Sequence, residues 1–170
     1  LSERDYLNEL AEFEAHYQYD TTYMRELLEH SPLAYAKFAD FMPLASHREN
    51  LNPETYWIAK LAAMQVEDCG ACLQLCVRMA LENEVSRQLI ESVLEGGSGL
   101  PDDARDLYDF SVNVASATSV EQALEDRIQA RFDKAALLEL GLCIASAKVF
   151  PTIKRALGYA KSCNLIEIKV

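Results

Sequence analysis

Apolar residues recur at helical intervals along almost the whole chain, and long runs of strand-like alternation are missing. In "SERDYLNELAEFEAHYQ" Tyr6, Leu7, Leu10 and Phe13 lie at spacings of one, three and four, with an acidic face opposite and Ser2 placed to cap. A shorter helix is predicted from Thr22 to Glu29. The next starts at Ser31, with Pro32 in the first helical position, and is expected to end at Pro43. Asn52 and Pro53 repeat that start signal for a helix reaching about Val66. Acidic Glu67 and Asp68 then interrupt, Asp68 is expected to cap, and a new helix begins at a cysteine cluster and runs through Ala80.

Further on, "VSRQLIESVLEGGSG" predicts a short helix stopped by Gly96 and Gly97. Pro101 and "DDARD" open another, reaching about Ser116, where carboxylates near the start complement the helix dipole. A short helix at 120–130 precedes "DKAALLELGLCIASAKVF", which is apolar around nearly its full circumference and is therefore expected to be buried on all sides. Pro151 is expected to break this run and let a last helix start, ending near Lys161. The closing "LIEIKV" alternates like a strand but has no partner strand, so it is read as a docked tail. The fold class is all-α, with no internal repeat.

A length of 170 residues suits one domain over 1–170. Sixteen basic against 27 acidic residues give a net charge of -11, which repels nucleic acid and anionic membrane surfaces, so neither is an expected partner. Apolar stretches such as "LGLCIASA" look shorter than the roughly 20 residues that span a bilayer, and no signal peptide is visible, so a cytoplasmic location is expected. Five cysteines, an odd number, do not resemble a disulfide framework; three of them crowd into "CGACLQLC".

At about 100 degrees per residue, Cys69, Cys72 and Cys76 fall within an arc of roughly 60 degrees on one helix face. In the first turn, unpaired N–H groups and the dipole lower a thiol's pKa, and two cysteines three apart can close a disulfide. Glu67 and Asp68 oppose that effect through like charge, and Glu67 is read as solvated or as a weaker functional candidate. Cys76, Cys143 and Cys163 are read first as core residues, with Cys76 also a candidate third thiol. A zinc site needs four ligands and only one pair is present; His16, His30 and His47 lie upstream without ligand spacing and are read as surface or loop residues. No metal or cofactor is expected. Glu139 stands in an otherwise apolar helix, where a buried carboxylate of raised pKa could relay protons or simply bond a neighbouring helix.

"NPETYWIAKLAAMQVEDCGACLQLCVRMA", "IESVLEG" and "RFDKAALLELGLCIASAKVFPTIKRALG" resemble the carboxymuconolactone decarboxylase and alkylhydroperoxidase D (AhpD-like) superfamily over residues 52–160, with 1–50 matching only as generic N-terminal helices. The resemblance implies an all-helical, AhpD-like domain with the Cys-x-x-Cys at a helix N-terminus. It also implies a homo-oligomer, a dimer, trimer or hexamer. Peroxidase members reduce hydroperoxides through the dithiol and are recharged by a dithiol partner such as a lipoylated protein. Only Cys69 and Cys72 carry over: Cys76 stands where the peroxidase pattern has a histidine, and Trp57 where it has a relay glutamate.

The expected function is therefore a thiol-dependent oxidoreductase, peroxidase-related, reducing a small-molecule hydroperoxide or disulfide through a Cys69/Cys72 dithiol–disulfide cycle. In that cycle one thiolate becomes a sulfenic acid and its neighbour traps it as a disulfide. Trp57 and Tyr56 would line an apolar wall. Two alternatives remain: lactone decarboxylation, which does not need the dithiol, and a non-enzymatic oligomeric redox sensor or scaffold.

Overall fold

A computed structural model describes residues 3–159 and 167–168. The expected cap Ser2, Cys163 and most of the C-terminal tail lie outside the described residues. Among the described residues the chain forms nine helices and no strand: α1 (Glu3–Tyr17), α2 (Thr22–His30), α3 (Pro32–Ala45), α4 (Pro53–Val66), α5 (Gly70–Glu82), α6 (Arg87–Leu94), α7 (Asp102–Ala115), α8 (Gln122–Arg131) and α9 (Lys134–Ala156). The all-α expectation holds.

Capping chemistry explains most of the boundaries. Asn52 accepts the N–H of Thr55 ahead of Pro53, Ser86 accepts that of Leu89, and Asp133 accepts that of Ala136, each satisfying a first-turn donor. Gly96 and Gly97 adopt positive φ after α6, and a Cβ at Gly97 would meet the Tyr108 ring at 2.9 Å, so that turn has no room for a side chain.

Two helices run on through prolines that were expected to end them. α3 continues past Pro43 to Ala45, where the Ser46 hydroxyl donates to the carbonyls of Met42 and Pro43. α9 passes through buried Pro151 and ends at Ala156, short of the expected Lys161. Proline forfeits one helix hydrogen bond, and burial of the helix on both sides of residue 151 outweighs that loss. Phe150 packs edge-on against Phe38 before the proline, Lys154 is buried after it, and the Thr152 hydroxyl donates to the Lys148 carbonyl.

Two apolar clusters result. The larger centres on α4, whose residues from Thr55 to Met64 are all buried, and takes in α5, α6, α7 and α9. The smaller joins α1, α2 and α3 through Leu10, Tyr23, Leu28, Tyr35 and Phe38, and closes on Val149, Phe150 and Ile153 of α9. α9 is thus shared between them. It is not buried on all sides as expected: Leu138 is 60% exposed and Leu142 41%. By length and composition alone α9 could cross a membrane, which the short apolar stretches did not suggest. Here its inner face is core, and its charged Glu139 and Lys154 are bound by protein groups.

Candidate functional site

The site is built where α4 hands over to α5. α4 ends at Val66, Glu67 retains helical geometry, and Asp68 turns into the left-handed region with φ 46°. Cys69 is then extended and serves as the N-cap residue of α5, so the expected capping role of Asp68 is not what the chain adopts. This puts Cys69 just before the helix and Cys72 in its first turn, the region of unpaired N–H groups.

Glu67 is not solvated. It is 6% exposed, its carboxylate pairs with Arg155 and, at 3.4 Å, with Lys148, and Arg155 also donates to its carbonyl oxygen. The end of α9 therefore pins the turn that precedes the thiols and offsets the acidic charge that would oppose a thiolate.

Cys69, Cys72, Cys76 and Cys143 are all free and buried. The Cys69 pKa is lowered, first by its interaction with the Cys72 thiol, against burial, and further by the Cys72 backbone N–H and the charges of Lys154 and Arg155. The Cys72 pKa is raised, first by Cys69 and then by burial. The two thiols titrate as a pair, in which the thiolate is favoured at Cys69 and disfavoured at Cys72. Burial pushes Cys76 up to about 12 and Cys143 up to about 11, so both stay protonated; Cys143 donates to the Tyr56 carbonyl as a core residue.

Two groups that the sequence did not single out complete the site. Tyr19, from the α1–α2 connection, sets its hydroxyl 3.8 Å from the Cys72 sulfur. Lys154 of α9, 3% exposed, donates to that hydroxyl at 3.3 Å and lies 4.6 Å from the Tyr19 ring centre and 5.3 Å from that of Tyr23. No sequence spacing links residues 19, 72 and 154. A lysine in an apolar helix was the one available hint.

Glu139 belongs elsewhere. Its carboxylate receives the backbone N–H groups of Glu49, Asn50 and Leu51 and the Asn50 amide, at 2.9–3.1 Å. Burial raises its pKa, but these donors together outweigh it and the net shift is downward, which does not suit a relay and fits the structural alternative, with a loop rather than a neighbouring helix as the partner. Glu139 holds the α3–α4 loop. The histidines are all exposed: His16 pairs with Glu82, His30 ends α2 and His47 lies in the α3–α4 loop.

A cavity of about 690 Å³ lies between the two clusters, and Cys72 and Cys76 are on its wall together with Tyr19, Tyr23, Tyr56 and Trp57. All four methionines of the chain line it. Flexible thioethers and aromatic rings make an adaptable apolar lining. Cys69 is not among the lining residues. No group of three or more His, Cys, Asp or Glu side chains suited to a metal occurs among the described residues.

Fold and site define an all-helical protein with paired thiols at a helix start. Residues 32–105 match the family model of the carboxymuconolactone decarboxylase family. The match runs from α3 into α7 and agrees with the resemblance read from the sequence; it begins before residue 52 and leaves the late "ELGLCIA" helix outside it. No curated protein and no solved structure matches the chain.

Proposed function

We propose that the protein is a thiol-dependent oxidoreductase that reduces an organic hydroperoxide or a disulfide through Cys69 and Cys72. The observation that carries this is the placement of the pair: both thiols sit at the start of α5, where the thiolate is favoured at Cys69, and Cys72 faces a cavity large enough for an organic substrate. Cys69 takes the proton of the Cys72 thiol, so the nucleophile forms on the cavity wall without a histidine. With a hydroperoxide, the Cys72 thiolate takes the terminal oxygen, the O–O bond breaks, and the leaving alkoxide is protonated from solvent. The Cys69 thiol then displaces water from the Cys72 sulfenic acid to form the disulfide. A dithiol reductant returns two electrons and two protons.

The family match by itself is equally consistent with lactone decarboxylation. The dithiol favours the redox reading, because decarboxylation has no use for it. Self-association belongs to the same proposal and is supported by exposed Leu138 and Leu142 on α9. The test is steady-state turnover of cumene hydroperoxide with dithiothreitol. Turnover lost in both Cys69→Ser and Cys72→Ser supports the enzyme; consumption no faster than with free dithiothreitol sinks it.

A further inference from the structure

The peroxidase pattern places a histidine at the position of Cys76 and a carboxylate at that of Trp57, and neither residue here can supply charge to the thiols. The charge comes from the opposite end of the chain. Because α9 runs unbroken through Pro151, it delivers Lys154 to the start of α5, 3% exposed and with no carboxylate in ion-pair distance among the described residues. An ammonium group buried this far needs a compensating negative charge or good hydrogen-bond partners. Lys154 has the Tyr19 hydroxyl and two aromatic faces, and beyond the hydroxyl stands the Cys72 sulfur.

We propose that Lys154 is the counter-ion of the dithiol and that Tyr19 carries its influence to the Cys72 sulfur, making both positioning residues for the thiol chemistry. The Lys154 N–H donates to the Tyr19 oxygen, which leaves the Tyr19 O–H to donate to sulfur. Burial holds the phenol far above its ordinary pKa, so it stays protonated as the negative charge moves from Cys69 to Cys72 and acts as a fixed donor rather than an acid. The arrangement favours a charge on either sulfur, in keeping with the lowering influence of Lys154 on both thiols. The surrounding titratable groups include Asp68, which precedes Cys69 in the chain, and Lys148, which pairs with Glu67. Arg155 is engaged by Glu67, Asp20 is bonded by Thr22 while also sensing Lys154, and Tyr23 and Cys76 are held protonated by burial.

This inference rests on the dithiol being reactive, and it is tested without substrate turnover. The rate of iodoacetamide alkylation of the reduced native protein is followed against pH, with modification at Cys69 and Cys72 resolved by peptide mass spectrometry. In Lys154→Met the midpoint of the pair should rise by about one pH unit or more, the scale of one lost charge at close range. Tyr19→Phe should give a smaller rise, and Lys154→Arg should restore most of the wild-type midpoint. Midpoints unchanged in both Lys154→Met and Tyr19→Phe, with native circular dichroism, would overturn the proposal. If Lys154→Met fails to fold, Tyr19→Phe decides alone. Shifted midpoints in a protein that turns over no hydroperoxide would uphold the counter-ion while defeating the peroxidase reading.

Discussion

Replacing Glu139 by glutamine should destabilise the protein without altering the thiols. The carboxylate gathers three backbone N–H groups and one side-chain amide at 2.9–3.1 Å, so both of its oxygens are fully used. Glutamine offers a single acceptor oxygen and turns an NH₂ group toward donors, so about two donors lose their partner. The Leu51 bond is buried, whereas the Glu49 and Asn50 bonds are only part-buried and water can partly replace them. At about 1–3 kcal/mol for each orphaned donor, discounted for that exposure, Glu139→Gln should cost about 2–4 kcal/mol. Urea unfolding measures it as a lower midpoint at unchanged slope. Acid titration gives a second signature. Because the Glu139 pKa is lowered in the fold, its contribution is present above the ordinary value of 4.5 and is lost as pH falls through the lower folded value. The variant should lack that part of the acid-side loss. A cost below about 1 kcal/mol, on the scale of an ordinary surface substitution, together with an unchanged acid limb, would refute this account of the loop.

Other outcomes follow from the same geometry. Cys72→Ala should raise the pKa of the remaining Cys69, read as less thiolate absorbance near neutral pH, since the hydrogen bond from the Cys72 thiol is the largest influence lowering it. Both thiols are buried, and Cys72 lies against the α1–α2 connection through Tyr19; that segment is fastened by Tyr17 donating to Glu82 and Arg78 donating to the Tyr17 and Gln18 carbonyls. Arg78→Ala should therefore speed native-state alkylation several-fold, and an unchanged rate would show that access lies elsewhere. Arg155→Met should cost about 1–2 kcal/mol by urea unfolding: Glu67 is buried, but the arginine is 45% exposed, so the full penalty of breaking a buried pair does not apply. Glu14 is lowered to about 2, chiefly by Arg25. Arg25→Gln should thus lose its extra acid-side stability between about pH 4.5 and 2, with a cost near 1 kcal/mol at pH 7 because both side chains are a third exposed.

The sequence by itself determined the helical class and the dithiol. Periodicity marks burial, Asn52, Ser31 with Pro32, and the glycines at 96 and 97 mark boundaries, and the Cys-x-x-Cys spacing places two thiols together, because all of these act between residues a few positions apart. Pro43 and Pro151 fail to end their helices for the complementary reason. Its local cost at 43 and 151 is real, but packing of the neighbouring turns against other helices decides whether the helix continues, and that packing is not local. The environment of the thiols was likewise settled only in three dimensions. Glu67 reads as a solvated charge until Arg155 and Lys148 arrive beside it, and Glu139 reads equally as a relay or a structural carboxylate until the loop at 49–51 turns four donors toward it. Lys154 and Tyr19 are separated by 135 positions and meet only because α9 continues through Pro151 and the α1–α2 connection folds over α5. The mutual interaction of two thiols three positions apart comes first in setting which sulfur holds the proton, and burial and the charges of Lys154 and Arg155, which act with it, are properties of the assembled fold.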